Sequence, residues 1–336
     1  MVNVCCVNSD VPLGSIADSS FREIWDGPVT AQLREAMNRS DYSLGCQACG
    51  DLADLGLRSA SLAENYDCME RSEGLHWPRA IEFALSNTCN LQCVQCTGEL
   101  SSSIRAQREH RHALPAAYGD EFFEEMRDFI PHLRSASFIG GEPFLMRECR
   151  RIWDLMIELD ARPDVWVTTN GTVWNDRVER YLHTLQMGVS LSIDGVEPAT
   201  IASIRVGADP EELLANRDRF LAATQSYGRD MKLNYCIMPQ NWREFMPFLL
   251  DAECLGADVY AARVHAPAQH SLFHLPVKEL QNVFGTMAEQ GDDSAGRLVR
   301  NRGTWDDMLA QLSSQLSQIG GRPLSVSVDA PTRRRG

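Results

Sequence analysis

Lysine is almost missing from this sequence: of 32 basic residues, only Lys232 and Lys278 are lysine. Basic charge is also outnumbered, with 32 Lys and Arg against 46 Asp and Glu and a formal net charge of −14. A protein that tracks nucleic-acid phosphates presents a basic surface, so this balance argues against a nucleic-acid partner. It permits a cationic substrate, although a solvated acidic exterior accounts for it equally well. No stretch approaches the ~18 uninterrupted apolar residues of a membrane span, so no membrane is expected. The opening Met1-Val-Asn-Val-Cys5-Cys6 has neither the basic nor the apolar region of a signal peptide, and the expectation is a cytoplasmic protein. Internal repeats and low-complexity tracts are missing too. What remains, 44% hydrophobic and 23% charged over 336 residues, is enough for one large α/β domain with a small module, or for two medium domains.

Cysteine is plentiful. There are eleven, and eight of them (Cys5, Cys6, Cys46, Cys49, Cys68, Cys89, Cys93 and Cys96) precede residue 97; Cys149, Cys236 and Cys254 follow. Without a secretory signal, that usage points to metal or redox chemistry before disulfides.

From about residue 78, short β-rich runs alternate with amphipathic stretches, the pattern of βα units around a parallel sheet. Strands are expected at Ala80–Ser86, Ser135–Ile139, Val165–Thr169, Val189–Ile193, Lys232–Met238 and Asp258–Val264. Helices are expected at Glu121–Leu133, Glu148–Leu159, Asp176–Leu185, Glu211–Thr224 and Arg243–Leu255. Six strands are too few for an eight-unit barrel, so the expected fold is an α/β partial (β/α)6 TIM-like barrel. Its chemistry belongs at the C-terminal ends of the strands. The expected division is a cysteine-rich module over 1–75, the partial barrel over 76–275, a helical extension over 276–328 and a tail over 329–336. In the first module, short helices at Ser20–Trp25 and Val29–Asn38 precede a Cys46-Gln-Ala-Cys49 knuckle and a polar helix near Leu52–Asn65. That is too little apolar material for a core of its own, which bound metal would compensate. Near the other end the expectation is a helix at Val277–Glu289, a break at Gly291–Gly296, a helix near Trp305–Ile319 and a strand at Leu324–Val328.

The central motif is Cys89-Asn-Leu-Gln-Cys93-Val-Gln-Cys96, a C-x3-C-x2-C loop just after the first strand. Zinc sites usually take four protein ligands, and this loop supplies three. Three thiolates on a four-iron cluster would leave one iron open; a zinc site with one distant ligand, or three buried thiols, is the alternative. The next strands end in Gly140-Gly141-Glu142-Pro143, in Thr168-Thr169-Asn170-Gly171-Thr172 and in Ser192-Ile193-Asp194-Gly195. The glycine pair lets backbone approach a ligand closely, and Glu142 adds a carboxylate that can hold an ammonium group.

In this order, one motif per βα unit behind the cysteine loop, residues 80–267 resemble the radical S-adenosylmethionine (SAM) enzymes. The resemblance implies a 4Fe–4S cluster on Cys89, Cys93 and Cys96, with SAM chelating the fourth iron. Gly140, Gly141, Glu142 and Pro143 would hold the methionine amine, and Asn170, Ser192 and Asp194 match positions that contact ribose or carboxylate. Arg205 matches an arginine that pairs with the SAM carboxylate. One electron from the cluster would cleave SAM to a 5′-deoxyadenosyl radical that takes hydrogen from an unactivated C–H bond. An electron donor such as flavodoxin or ferredoxin is implied. The chain departs from the family at Gln95, where many members carry an aromatic residue.

Cys5-Cys6, Leu13-Gly14, Phe21-Arg-Glu-Ile24-Trp25, Leu33-Arg34 and Cys46-Gln-Ala-Cys49 resemble the SPASM or twitch auxiliary-cluster module, here placed before the barrel. The resemblance implies a second 4Fe–4S cluster on Cys5 or Cys6 with Cys46 and Cys49; Cys68 is the candidate fourth ligand, and an open iron or a zinc knuckle are the alternatives. Relatives carry more residues before the Cys-Cys pair, so the module is expected to be trimmed or to start upstream.

Three further features bear on the reaction. Alternation places Lys232, Asn234, Cys236 and Met238 on one, more polar, strand face. A Cys236 thiol turned into the barrel could return a hydrogen atom to a substrate radical, the act of an epimerase; a small buried hydrophobe is the alternative. His265, His270 and His274 follow the sixth strand at the rim, and Glu82 lies on the first. The expected function is hydrogen abstraction from a polar small molecule (a sugar, cyclitol or amino-acid derivative) for oxidation or epimerisation in a biosynthetic pathway. Modification of a ribosomally made peptide is the alternative within the family, and a non-catalytic Fe–S sensor the alternative outside it.

Overall fold

The computed structural model describes residues 1–54, 63, 66, 69 and 76–320. In chain order the elements are α1 (Phe21–Trp25), α2 (Pro28–Asn38), α3 (Gln47–Asp54), β1 (Ala80–Phe83), α4 (Ser102–Gln107), α5 (Asp120–Phe129), β2 (Ser135–Phe138) and α6 (Arg147–Glu158). Then come β3 (Asp164–Thr169), α7 (Asp176–Leu185), β4 (Gly188–Ser192), α8 (Pro198–Ile204), α9 (Pro210–Ser226) and β5 (Lys232–Ile237). The last are α10 (Phe245–Leu255), β6 (Asp258–Arg263), α11 (Val277–Ser294) and α12 (Arg302–Gly320). All six strands join one sheet in sequence order, and β3 through β6 pair in parallel. Sequential strands with intervening helices are the α/β arrangement of a partial (β/α)6 barrel. Among the described residues no helix is long and apolar enough to cross a membrane.

Two compact units divide the chain: Met1–Leu85 with Leu114–Ala136 and Arg147–Asp164, and Ser86–Ala113 with Ser137–Met146 and Val165–Gly336. In the first, α1 opens with a capping box, Ser20 and Glu23 bonding each other's backbone N–H. The Glu125 carboxylate accepts the next free donors, the Phe21 and Arg22 N–H groups, at 2.8 and 2.7 Å. Phe21 and Trp77 both stand edge-on to Phe129, at 4.9 and 5.1 Å, and Arg22 lies over Trp77 at 4.0 Å. These aromatic and cation–π contacts anchor α1 where its five residues could not hold a helix by themselves.

In the second unit the two faces of the sheet differ. Leu233, Tyr235 and Ile237 of β5 are buried, while Lys232 is exposed and Asn234 and Cys236 are half-buried. Register extends the less buried face: Thr168 pairs with Ser190 and Ser190 with Lys232, Ser192 with Asn234 and Asn234 with Tyr260, and Cys236 with Ala262. Neighbours in parallel register point the same way, so hydroxyls and amides share one face and Val167, Val189, Leu191 and Leu233 share the other.

Among the described residues, the expected strands and helices are present within a few residues of their expected bounds. β1 stops at Phe83, short of Ser86, because Ser86 already turns, its hydroxyl accepting the Thr88 N–H at 3.1 Å. Helices α4 and α8 were not anticipated; they are short, and α4 depends on its Ser101 cap. The break expected at Gly291–Gly296 comes later than Gly291: α11 runs on to Ser294, and a 3-10 turn follows at Ala295–Arg297. Gly291 is there for packing, since a Cβ would stand 2.9 Å from Nε1 of the buried Trp305. The helix expected near Leu52–Asn65 is described only as far as Asp54, the end of α3, and Leu324–Val328 and the tail lie outside the described residues.

Gly291→Ala is expected to lower stability by about 1–3 kcal/mol through overpacking against Trp305. Gly303→Ala, with nothing within 4 Å of its Cβ, is expected to be neutral or stabilising by up to about 1 kcal/mol. Chemical denaturation of the two variants checks the contrast; equal losses would contradict it.

Candidate active site

The Cys89–Cys96 loop is fastened along its length. The Cys89 N–H donates to the Ser102 hydroxyl at 3.1 Å, and the Cys89 carbonyl accepts the Ser103 hydroxyl at 2.8 Å. Ser101 caps α4 and donates its hydroxyl to the Leu91 carbonyl at 2.7 Å. Arg108 donates to the Gln92 and Cys93 carbonyls at 3.0 and 3.2 Å. Across the loop, the Gln92 and Val94 N–H groups reach the carbonyls of Val206 and Ile204, at 2.8 and 2.9 Å.

Cys89, Cys93 and Cys96 are half-buried and outside any disulfide. Burial pushes all three thiols up, Cys93 to about 11 against the opposing pull of Arg205. Thiols raised in this way are neutral at pH 7, and metal ligation would require their deprotonation.

Three buried side chains join the strand ends around this loop. Glu142, wholly buried, accepts the Thr169 hydroxyl at 2.8 Å, the Asn170 N–H at 2.7 Å and the Phe144 N–H at 3.1 Å. Its own N–H donates to the Thr88 carbonyl at 2.7 Å. This crossing requires glycine before it, since a Cβ on Gly141 would meet the Thr88 carbonyl carbon at 2.8 Å. Desolvation pushes the Glu142 carboxyl from 4.5 to about 7, although those hydrogen bonds oppose the shift. Asn170 faces Cys89: its amide donates to the Cys89 Sγ at 3.7 Å and to the Asn90 Oδ1 at 3.0 Å.

Asp194, at the end of β4, holds the opposite side. Its Oδ2 pairs with Arg205 at 2.8 Å and accepts the Gln95 amide at 2.9 Å, while Oδ1 accepts the Cys236 N–H at 2.7 Å. Asn241 adds a bond to the Asp194 carbonyl at 2.9 Å. Burial works against the charge on Arg205, but the Asp194 carboxylate outweighs it and holds the guanidinium above its usual range. Cys236 packs against Ile204, Met238 and Val264, and burial with the Asp194 charge pushes its thiol up to about 12. Two buried polar atoms in this group, Arg205 Nε and Gln95 Oε1, have no hydrogen-bond partner among the described residues.

The structure thus brings Cys89, Glu142 and Asn170 together, and Cys93, Asp194, Arg205 and Cys236 together. Ser192 stands on the half-buried face of β4, and Pro143 follows Glu142 in the turn that closes on Met146. Gln95 entered the sequence reading only as a departure, yet it links the cysteine loop to Asp194. Thr169 and Asn241 carry no spacing signal that would have singled them out. Of the rim histidines, His270 lies 3.1 Å from the Gln240 amide. Among the described residues no three His, Cys, Asp or Glu side chains converge on a single metal ion, and thiolates on a cluster bind different irons and need not do so.

The other unit carries its own thiol group. Cys46 and Cys49 stand at the start of α3, and the buried Asn8 ties Cys5 to Cys46: its N–H reaches the Cys5 Sγ at 3.3 Å and its amide the Cys46 Sγ at 3.4 Å. Cys6 turns toward Glu82, and its thiol is raised by burial and then by that carboxylate. Cys68 lies outside the described residues.

Residues 83–252 match the Radical SAM superfamily, and residues 1–50 match SPASM, an iron–sulfur cluster-binding domain. The chain belongs to the radical SAM superfamily. Its 4Fe–4S cluster and SAM follow from that membership, as does an iron–sulfur function for the amino-terminal module. A curated relative, the GTP 3′,8-cyclase of Clostridium botulinum strain Hall, is 21% identical over 159 residues, covering 47% of each protein. The chain spans about half the length of the curated relatives it matches. Among solved structures, Streptococcus suis SuiB is 13% identical with a TM-score of 0.45 over 74% of this chain and 60% of that one. Native anSMEcpe with bound AdoMet is 18% identical with a TM-score of 0.46 over 66% and 63%. The radical SAM site residues suit the cofactors chemically: soft thiols on a fixed loop, a backbone crossing that excludes any Cβ, and an unsatisfied guanidinium N–H beside them.

Glu142 gives a pH signature. Unfolded, its carboxyl ionises near 4.5; folded, near 7, so its contribution to stability is present below 4.5 and is lost as pH rises through 7. Denaturant titrations of the apoprotein are expected to show wild type losing of order 3 kcal/mol between pH 4.5 and 7.5 relative to Glu142→Gln. A parallel pH dependence in the two proteins would contradict it.

Proposed function

We propose that this radical SAM enzyme takes a hydrogen atom from a polar small molecule, a sugar, cyclitol or amino-acid derivative, and oxidises or epimerises the carbon. The observation that carries this reading is the half-buried sheet face, where Thr168, Ser190, Ser192 and Asn234 present hydroxyls and an amide instead of an apolar wall. Buried hydrogen-bonding groups of that kind select substrates that satisfy them and penalise apolar ones.

Cys89, Cys93 and Cys96 hold the cluster, and Gly140, Gly141, Pro143, Ser192 and Arg205 line the SAM position. When bound, cluster and SAM supply the one-electron chemistry that breaks an unactivated C–H bond. Glu142 and Asp194 work by holding the loops, since their carboxylates already accept three hydrogen bonds each or more. Arg205 keeps Nε–H for the SAM carboxylate. If the outcome is oxidation, the electron left on the substrate radical would need an acceptor, which an iron–sulfur cluster held by Cys5, Cys46 and Cys49 would supply; the separate electron that cleaves SAM would come from a flavodoxin- or ferredoxin-type protein.

Epimerisation is favoured by one observation: the neutral Cys236 thiol lies beside Gln95 of the cysteine loop and packs on the same buried cluster, Ile204, Met238 and Val264, as Val94 of that loop. A protonated thiol has a hydrogen atom to return to a substrate radical.

Anaerobic, reconstituted, dithionite-reduced protein is to be incubated with the small-molecule and the peptide fractions of a cell extract. The small-molecule fraction is expected to stimulate 5′-deoxyadenosine release and to lose one polar compound. In D2O its product should gain deuterium at the reacting carbon with wild type and not with Cys236→Ala. Stimulation by the peptide fraction alone would replace the small molecule by a ribosomal peptide, and deuterium uptake unchanged in the variant would remove Cys236 from the reaction.

A further inference from the structure

We infer that Asn170 is a positioning residue for Cys89 that sets the reduction potential of the cluster, and that it is not a SAM contact. The inference rests on Cys89 being a cluster ligand.

Hydrogen-bond capacity decides the matter. A carboxamide has two N–H donors and two acceptor lone pairs. Both donors of Asn170 are engaged, one to the Cys89 Sγ at 3.7 Å and one to the Asn90 Oδ1 at 3.0 Å. Both lone pairs are engaged as well, by the Thr172 N–H at 3.0 Å and the Thr172 hydroxyl at 2.7 Å. The side chain is only 7% exposed and its backbone N–H is held by Glu142 at 2.7 Å. Nothing is left over for a ribose or a carboxylate.

The same bonds fix which end of the amide meets the sulfur. Turned over, Asn170 would set its oxygen against the Asn90 Oδ1 and its NH2 against the Thr172 N–H, two repulsive contacts in place of two bonds. Asn90 is locked in turn, donating its own amide to the Thr172 hydroxyl at 2.9 Å. The N–H therefore points at Cys89, where the Leu91 N–H also arrives, at 3.5 Å. Donors to a cluster thiolate withdraw electron density, stabilise the reduced cluster and raise its potential. Reduction of the cluster is the step that such a bond makes easier.

The test uses the full-length reconstituted protein, with Asn170→Leu and Asn170→Asp as variants. Leucine removes the donor, and aspartate replaces it with negative charge at similar shape. Iron per chain, SAM affinity by calorimetry, and the midpoint of the EPR signal that SAM perturbs are measured for each. Both variants are expected to keep wild-type iron and to bind SAM within about threefold. The midpoint is expected to fall in the order Asn, Leu, Asp, with at least a tenfold loss in the reduction equilibrium for Leu, about 59 mV for one electron. An unchanged midpoint with SAM binding weakened tenfold would make Asn170 a SAM contact and overturn the inference. Iron lost from both variants, with secondary structure intact, would make it an assembly residue only and also overturn it. A wild type without a SAM-perturbed signal would defeat instead the assignment of Cys89 as a cluster ligand.

Discussion

The second unit of this protein is organised around one buried carboxylate. Asp194 holds Arg205, Gln95 and the Cys236 backbone in one group, and both Asp194 and Arg205 are out of solvent. A buried ion pair adds little net stability, because desolvation offsets the attraction, but removing one partner costs about 3–5 kcal/mol. Its effect is to specify geometry. With Asp194 in place, the cysteine loop, the end of β4, the C-terminal end of β5 and the 204–206 segment are tied to one carboxylate.

Glu142 and Asn170 do the same for the other half of the loop. Glu142 joins the turn after β2 to the turn after β3, and Asn170 joins the latter to Cys89. The polar groups of the strand ends therefore serve mostly as fasteners. Burial raises the loop's thiols, so metal binding there would be accompanied by deprotonation.

Much of this was legible in the sequence. Alternation in Leu233-Asn-Tyr-Cys236-Ile gave β5 and its two faces, and turn residues after each strand gave the sheet order its punctuation. The loop carrying Cys89, Cys93 and Cys96 was legible because spacing is a local property. Partnerships across the chain were not: Gln95 with Asp194 spans 99 residues, and neither side chain announces the other. Asn170 and Glu142 were legible as site residues but not as internally satisfied ones, because hydrogen-bond capacity depends on neighbours such as Thr172 and Thr169. Gly291 misled for a related reason: glycine reads as a helix breaker until Trp305 is seen to fill the space beside it. Asn8, which ties Cys5 to Cys46, is a lone asparagine in a polar stretch and carries no pattern at all.

The most direct measurement is a count of iron and sulfide per chain after anaerobic reconstitution, with 5′-deoxyadenosine assayed after dithionite, in wild type and in a Cys89/Cys93/Cys96→Ala variant. Two four-iron clusters predict about eight irons in wild type, about four in the variant, and nucleoside release that disappears with the loop thiols. Iron unchanged in the variant, or zinc in place of iron with SAM left intact, would contradict the assignment of this loop as the radical-generating centre.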